Sequence, residues 1–453
     1  MYEKQQKSPI KMLVRFSLTN FRTFRERAEW SLVASPDTTR EEENVAPFTQ
    51  FGVRLLKSAV IYGANASGKS KLIDGLQFMR EFVRESANTQ PGDAIAVEPF
   101  RLSTVSEQEP SEFEVIFIHQ SVRYRYGFEV TGTRVLAEWL YYRPKTKEIE
   151  IFSRDEQVFK QLNHKEVKGS LAQYIKEGNV RENALALSLI TQLYKHPVAN
   201  AVLAWFNKLK IISGLTDKGY RGFSMGQAQE PARKEAMLRL LQEADLGIED
   251  ITIKQLDLDQ LPEEFPAEVK EELRKAMARD KKAKILSDVL TSHAKYDEEQ
   301  QVSETVQLSM QKDESAGTQK FFSLTGPILD VLESGHMLVM DELDSRLHPN
   351  LVCKLVALFN SKEHNPNNAQ LLFNTHDTNL LTEGNFRRDQ IWFTEKDRFG
   401  AATLFSLADF KGVRKQDNLE VNYIRGKYGA IPYLGDFNLL PTPLPVSAHE
   451  NEE

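Results

Sequence analysis

The segment SAVIYGANASGKSKL, residues 58–72, carries the strongest pattern in this chain. A short apolar run, Ala59–Ile61, is followed by a loop of small residues that ends in Lys69 and Ser70. Apolar residues then recur at the spacing of one helix face, at Leu72, Leu76, Met79 and Phe82. A strand, a glycine-rich loop ending in Gly-Lys-Ser, and a helix together form the context that a phosphate-binding loop requires.

The residue types of this loop fit the phosphates of a nucleotide. Gly63 and Gly68 allow the backbone to wrap around a phosphate chain with its N–H groups pointing inward, and the helix start adds its positive end. Lys69 would reach the β- and γ-phosphates, and the Ser70 hydroxyl would ligate Mg²⁺. A chance Gly/Ser-rich turn is the alternative, but the flanking strand and helix argue against it. We therefore predict that ATP and Mg²⁺ bind at Gly63, Ala64, Asn65, Ala66, Ser67, Gly68, Lys69 and Ser70.

Two later apolar runs also end in polar residues. HMLVMDE, 336–342, ends in Asp341 and Glu342, and carboxylates at the ends of parallel strands face the ligand crevice. We predict that Asp341 holds Mg²⁺ through water and that Glu342 is the general base for water attack. AQLLFNTHD, 369–377, contains His376 at a strand end. This histidine either senses the γ-phosphate or is simply satisfied at the end of its strand.

The segment ESAGTQKFF, residues 314–322, has the pattern of a helix start. Ser315 fits the N-cap position, and the phenylalanines that follow fit a core. Gly317 is unexpected there, because glycine weakens the first turn of a helix. A plain helix start does not explain this glycine.

The order of GANASGKS, ESAGTQ, MDELD and THD resembles the ABC-type ATPases, including their SMC and RecF branch. The resemblance implies an α/β fold: an ABC-type P-loop ATPase head with a mixed sheet, an antiparallel β-subdomain and a helical insertion or arm. It also implies that Ser315 and Gly317 bind the γ-phosphate held by a second protomer, and that Asp344 lies at the dimer seam. The expected assembly is a homodimer or higher homo-oligomer. No glutamine clearly matches the family's Q-loop, and Gln77 and Gln90 are only candidates.

A closer resemblance connects the chain to bacterial ATPases of anti-phage and toxin–antitoxin-like loci. It is carried by NFRTF, YGANASGKS, DESAGTQKFF, DELDSRLHP, NTHD, QIWFTEKD and YGAIPYLGDF, within residues 12–135 and 306–437. These runs are most similar to the ATPase subunits of the PARIS defence system. The resemblance implies an effector partner, a TOPRIM-type nuclease encoded nearby, and a phage-encoded trigger protein. A RecF- or SMC-like ATPase that binds DNA in repair or clamping is the alternative.

The 453 residues are too many for one hydrophobic core and predict three regions. Residues 1–135 and 306–453 are predicted to form the two parts of the ATPase head, with a loose tail at the end. Residues 136–305 are predicted to form a mainly helical insertion or arm. Amphipathic, charge-rich patterns at 233–245 and 267–290 favour helices there, and in the second Val269, Leu273 and Met277 share one face.

Composition limits the possible partners and compartments. The net charge, 58 − 65 = −7, provides no global basic field for nucleic acid, although Tyr141, Tyr142 and Arg143 could form a local contact or an exposed strand end. The lone Cys353 excludes an internal disulfide framework and favours a reducing compartment. No apolar run approaches the length of a signal peptide or a membrane span. We therefore expect a cytoplasmic protein with no membrane partner.

Overall fold

The computed structural model describes residues 11–163, 177–256 and 285–432, except 218, 383 and 415, together with scattered helical positions at 173–175 and 268–275. Its strands are β1 Lys11–Thr19, β2 Ala28–Ser31, β3 Val45–Phe48, β4 Val53–Leu56, β5 Ser58–Gly63, β6 Ser111–His119, β7 Val122–Val130, β8 Val135–Arg143, β9 Ile149–Asp155, β10 Val158–Leu162, β11 Lys210–Ser213, β12 Asp250–Leu256, β13 Ile285–Tyr296, β14 Val302–Ser309, β15 Met337–Asp341, β16 Gln370–Asn374, β17 Ile391–Lys396 and β18 Ala402–Ser406.

The helices of this part of the chain lie between and around these strands. They are α1 Glu41–Asn44, α2 Lys69–Glu85, α3 Ala186–Leu193, α4 Pro197–Lys208, α5 Arg221–Gln227, α6 Pro231–Glu243, α7 Ala316–Ser334, α8 Pro349–Asn360, α9 Asn379–Thr382 and α10 Leu419–Ile424. None of the described helices is long and apolar enough to cross a membrane.

A six-stranded sheet, in the order β11-β15-β16-β5-β17-β18, forms the centre of the molecule. Its first five strands are parallel, and β18 pairs antiparallel with β17 at one edge. The carboxyl ends of β5, β15 and β16 therefore meet at one edge of the sheet, where a ligand crevice is expected. The predicted α/β class is confirmed.

Strand β5 is buried on both faces, which explains its continuous apolar run. Ala59 and Ile61 contribute to the core shared with the antiparallel sheet. Val60 and Tyr62 contribute to the core on the opposite side, together with α7 and α8. The strand that leads into the P-loop is thus fixed between two cores.

A seven-stranded antiparallel sheet, in the order β10-β9-β8-β7-β6-β1-β2, packs against α2. Aromatic rings join the two: Phe78 lies 5.0 Å from Phe113, and Phe82 lies 5.5 Å from Phe128, measured between ring centroids. Strands β6 and β7 form an antiparallel pair within this sheet. This sheet is the predicted β-subdomain.

The prediction that residues 136–305 are mainly helical is wrong for the part that the structure describes. The region contains α3 to α6, but strands β8 to β10 extend the antiparallel sheet and β11 joins the six-stranded sheet. Strands β12 to β14 form a further three-stranded sheet.

The two predicted helical patterns have different outcomes. The first is confirmed as α6. In the second, the residues from Ile285 onward form strand β13, while Val269, Leu273 and Met277 lie outside the described residues. The predicted loose tail, from about residue 438, also lies outside them. The division into three domains stays a prediction.

Candidate nucleotide-binding site

The P-loop connects β5 to α2 at the carboxyl edge of the central sheet, as predicted. Gly68 is the residue before the helix and has φ 117°, a conformation that favours glycine. A β-carbon at Gly63 would lie 2.5 Å from both the Ser67 hydroxyl and the Thr394 carbonyl oxygen. Both glycines are therefore needed for the loop to close. The Ser67 hydroxyl also forms a 2.6 Å hydrogen bond with that of Thr394, which ties the loop to β17.

Lys69 is almost fully buried beneath the loop, with 6% of its surface exposed. Its ammonium group donates to the Gly63 carbonyl at 2.8 Å and to the Ala64 carbonyl at 3.1 Å. Burial lowers the pKa of Lys69 to about 8, while the nearby carboxylates Glu342 and Asp341 act in the opposite direction. Phosphate oxygens entering the loop would replace the two carbonyl acceptors and favour the charged form of the lysine.

Asp341 and Glu342 follow β15 at the same edge, and the neighbouring strand holds them. Asn374, at the end of β16, is fully buried. Its amide group donates to Asp341 Oδ1, and its amide oxygen accepts from the Glu342 backbone N–H at 2.5 Å. Glu342 has φ 56°, which is costly for a residue other than glycine and is typical of functional sites. Asn374 therefore fixes the positions of both carboxylate residues.

The middle region of the chain also reaches this edge. Strand β11 pairs in parallel with β15, and Gly214 just after it donates its N–H to the Asp341 carbonyl at 2.6 Å. A β-carbon at Gly214 would lie 1.8 Å from the Glu342 carbonyl oxygen. Any side chain at position 214 would thus displace the backbone of Glu342.

His376 and Asp344 complete the edge facing the P-loop. The His376 backbone N–H donates to Asp344 Oδ2 at 3.3 Å. Burial and the charge of Lys69 lower the pKa of His376, so its imidazole is neutral at pH 7. The other oxygen of Asp344, Oδ1, is buried and has no hydrogen-bond partner among the described residues. Asp341, Glu342, Asp344 and His376 lie at or just beyond the carboxyl ends of β15 and β16, at the same sheet edge as the P-loop that follows β5.

The segment Glu314–Gln319 begins α7, and Ser315 is its N-cap, as predicted. The Ser315 hydroxyl accepts from the Thr318 N–H at 3.1 Å, and both Ser315 and Ala316 are exposed. Glu314 contacts the preceding strand β13. Its carboxylate accepts a hydrogen bond from the Thr291 hydroxyl at 2.6 Å and lies 2.7 Å from His293 Nε2. Within the described residues, no hydrogen bond or ion pair joins this segment to the P-loop of the same chain.

Gly317 has a role within the monomer that the sequence did not reveal. A β-carbon there would lie 2.8 Å from the Arg346 carbonyl oxygen, so glycine allows α7 to approach the segment after Glu342. Lys320 strengthens this approach, donating to the carbonyls of Leu343, at 3.1 Å, and Ser345. Gly317 therefore has a packing role within the chain, and its role across a dimer stays a prediction.

The residues predicted to hold Mg²⁺ offer suitable oxygen donors. Asp341 supplies a carboxylate at the strand end, and Ser70 is a partly exposed residue in the first turn of α2. No group of three or more histidine, cysteine or acidic residues among those described could hold a metal alone. Magnesium commonly has few protein ligands and takes its remaining ligands from water and phosphate, so the donor set fits Mg²⁺ bound together with a nucleotide.

Three residues of the site were missed by sequence reasoning: Asn374, Gly214 and Lys320. Asn374 could have been found from the register of β15 and β16, because Met340 pairs with Phe373 and the next residues are Asp341 and Asn374. Gly214 follows a short apolar strand in a region expected to be helical. The predicted Q-loop candidates do not contact the P-loop: Gln77 donates to Glu81, and the backbone of Gln90 binds Asp93.

The central sheet, the P-loop and the strand-end acids define a P-loop nucleotide-binding domain. A match over residues 58–382 shows that the chain belongs to the family described as "AAA domain, putative AbiEii toxin, Type IV TA system". A search of curated proteins found no significant match.

Several solved structures are similar to the chain. The SMC head domain from Thermotoga maritima is 11% identical, with TM-score 0.38, covering 87% of this chain and 98% of that one. The Pyrococcus furiosus Smc head bound to the C-terminal domain of ScpA is 13% identical, with TM-score 0.38 and coverage of 88% and 96%. The recombination mediator RecF with ATP is 14% identical, with TM-score 0.34 and coverage of 89% and 100%. At these scores the likeness carries no inference about activity.

Proposed function

We propose that this protein binds ATP with Mg²⁺ and hydrolyses it. The observation that carries the proposal is that the P-loop with Lys69, the Asp341–Glu342 pair and His376 follow three neighbouring parallel strands at one edge of the sheet. Lys69 and the P-loop N–H groups hold the phosphates, and Ser70 and Asp341 hold Mg²⁺, which neutralises phosphate charge when bound. Glu342 accepts the proton of the attacking water, and neutral His376 contacts the γ-phosphate.

We further propose that the site is completed by a second copy of the chain. Ser315 and Ala316 are exposed at the N-terminus of a 19-residue helix, and in the described part of the chain they form no hydrogen bond with their own P-loop. That helix end can bind the γ-phosphate of a partner protomer through its N–H groups and its dipole.

The biological role we propose is anti-phage defence, in which the ATP cycle controls a partner effector. The family description, with its reference to a toxin of a type IV system, supports this role, as does the resemblance to the ATPase subunits of the PARIS system. A TOPRIM-type nuclease encoded nearby is the proposed effector, and a phage protein the proposed trigger. Affinity purification of the chain with and without its neighbouring genes tests this, since the effector should co-purify after nuclease treatment.

A second candidate function is a RecF- or SMC-like DNA-binding ATPase. Arg15 on β1, Arg123 and Arg125 on β7, and Arg143 on β8 of the antiparallel sheet favour it, despite the overall charge of −7.

The composite site is tested by measuring association of the Glu342→Gln variant with ATP and with ADP by light scattering. This variant should retain ATP and accumulate as a dimer or higher oligomer with ATP, and should remain dissociated with ADP. An oligomeric state that does not depend on the nucleotide would contradict the composite site. ATP hydrolysis by the wild-type protein, measured separately, tests the proposed ATPase activity whatever the outcome for the composite site.

A further inference from the structure

Four arginines lie on the face of the antiparallel sheet that points away from α2. This arginine face consists of Arg15 on β1, Arg123 and Arg125 on β7, and Arg143 on β8. Alternate residues of β7, Tyr124 and Tyr126, point the other way, into the core with α2. All four arginines are partly exposed, for example 37% for the Arg15 side chain and 33% for Arg125.

Arg123 and Arg143 are direct cross-strand partners. Like charges placed opposite each other in a sheet are destabilising. The Arg123–Arg143 pair therefore does not stabilise the fold, and its presence needs another explanation. Glu29 pairs with Arg15 at 3.1 Å and Glu148 with Arg125 at 3.6 Å. Neither Arg123 nor Arg143 has an ion pair within the described residues.

Arg123 is the least compensated of the four. Its Nε is buried and has no hydrogen-bond partner in the described part of the chain. Burial lowers the pKa of Arg123, and Arg143, Arg15 and Arg125 lower it further, opposed by Glu148. An anion between Arg123 and Arg143 would replace their repulsion by charge-assisted hydrogen bonds.

Aromatic rings hold two of the guanidinium groups in place. The Arg125 guanidinium lies 4.2 Å from the centre of the Tyr141 ring, and that of Arg143 lies 5.9 Å from the Phe51 ring. Such stacking fixes the guanidinium plane. The Arg143 Nε donates to the Lys145 carbonyl at 3.3 Å, so its terminal N–H groups are the ones that can meet phosphate oxygens. Arg125 covers one face of the Tyr141 ring, so a base could not stack on that face.

The arginine face lies at the end of the sheet away from the P-loop. Lys11 and His119 pair at this end of β1 and β6, and Lys11 contacts His336 just before β15 begins. The phosphate-binding edge is at the opposite, carboxyl end of β15. An anion on the arginine face is therefore separate from the ATP phosphates.

We propose that the arginine face binds the phosphate backbone of a nucleic acid, with one phosphate between Arg123 and Arg143. Arg123 and Arg125 are two residues apart on one strand, about 7 Å at the usual rise per residue, so neighbouring phosphates of one backbone can contact both. Arg15 lies two strands from Arg125, since both pair with Ile116, and extends the contact across the sheet. Backbone contacts without base stacking predict binding that does not depend on sequence.

The test uses the full chain without ATP and a fluorescent 30-base-pair duplex, with anisotropy measured at several salt concentrations. Wild-type protein should bind with an affinity that falls steeply with salt, by about 0.9 log units per log unit of salt for each phosphate contact. Arg123→Gln with Arg143→Gln should weaken binding at least about tenfold at low salt and, since the two arginines share one phosphate, reduce the slope by about 0.9. The control is Arg134→Gln with Arg239→Gln, which removes the same charge at sites that are 49% and 71% exposed.

The proposal would be overturned if the wild type did not bind the duplex, or bound it with an affinity independent of salt. An equal loss of affinity in the control variant would also overturn it. So would competition by polyglutamate as effective as that by duplex of equal charge, which would indicate an acidic protein partner. A single strand of the same sequence should bind no more tightly than the duplex, and tighter binding would contradict contacts to the backbone alone. The thermal unfolding temperature of the Arg123→Gln, Arg143→Gln variant should not fall, because the two arginines repel each other in the free protein. A loss of binding in this variant would then come from the missing arginines and not from unfolding.

Discussion

The P-loop edge and the signature segment Glu314–Gln319 are built in opposite ways. At the P-loop edge, Lys69 is buried and its partners are the loop's own carbonyls. The Asp341 and Glu342 residues are held by Asn374 on the next strand. At the signature segment, Ser315 and Ala316 are exposed and bind only their own helix. One half of the site is organised within the chain, and the other presents an open helix end.

The open half is nevertheless fixed in position. Lys320 ties α7 to the carbonyls that follow Glu342, and Glu314 ties the helix start to β13 through Thr291 and His293. Movement of the three-stranded sheet β12–β14 would therefore be transmitted to Ser315. Both halves are therefore held by hydrogen bonds within the chain, and they differ in exposure.

The largest expected effect comes from a variant that loses ATP hydrolysis but still binds ATP at the P-loop edge. Glu342→Gln should hydrolyse ATP about 10²–10⁴-fold more slowly, because it removes the general base, while ATP affinity stays within a few-fold of wild type. Single-turnover hydrolysis and fluorescent-nucleotide binding measure the two quantities. Hydrolysis at the wild-type rate would assign the base to another group, with His376 the next candidate.

Lys69→Ala should weaken ATP binding about 10- to 100-fold, the usual scale for losing a hydrogen bond to a charged group, and hydrolysis should become undetectable. Lys71→Ala is the control, since Lys71 lies on the same helix, is 43% exposed and pairs with Asp74. Equilibrium binding of a fluorescent ATP analogue provides the measurement. Unchanged affinity in Lys69→Ala would refute the assignment of the P-loop.

Asn374→Ala should reduce Mg²⁺-dependent hydrolysis about 10- to 100-fold and raise the Mg²⁺ concentration required, as expected for a residue that orients a metal ligand. Asn365→Ala is a matched control, because Asn365 is similarly buried but binds Phe359 and Ala369 away from the site. Magnesium titrations of both variants separate positioning from stability. An equal magnesium requirement in the two would mean that Asn374 acts only on the fold.

The smallest expected effect concerns pH. The pKa of Lys69 is about 8 without nucleotide, and ATP binds the protonated form, so binding raises this pKa and affinity is lost as pH rises through 8. Between pH 7 and pH 9 the affinity for ATP should fall about tenfold, following the protonated fraction. Lys69→Ala should show a flat profile over this range. The same pH dependence in that variant would exclude Lys69 as its source.

The sequence predicted the organised half well because each of its motifs is local. GANASGKS, MDE and THD each lie at the end of one strand, and parallel pairing necessarily brings such ends together. The prediction from sequence failed where segments far apart in the chain form the site together. Strand β11 and Gly214 reach Asp341 from a region whose charged residues suggested helices, and the contact between Gly317 and Arg346 depends on how α7 packs. Site roles for Glu342, His376, Ser315 and Asp344 remain predictions.

The contrast between the two halves is tested most directly by mixing variants. Ala316→Arg places a long side chain at an exposed position of the helix start, whereas Gly317→Arg would also clash with Arg346 within the monomer. Ala316→Arg should bind ATP normally and fail to hydrolyse it, because a bulky group there would keep the signature away from a partner's γ-phosphate. Ala316→Ser is the control and should remain active.

The measurement is ATP hydrolysis by an equal mixture of Lys69→Ala and Ala316→Arg, each inactive alone. In a mixed dimer, the intact P-loop of the Ala316→Arg protomer meets the intact signature of the Lys69→Ala protomer, which gives one complete site. Random mixing in a two-fold symmetric dimer makes half of the dimers mixed with one working site each, so about a quarter of wild-type activity should return. Normal hydrolysis by folded Ala316→Arg alone would contradict the account, because the signature segment would then be only the start of a helix.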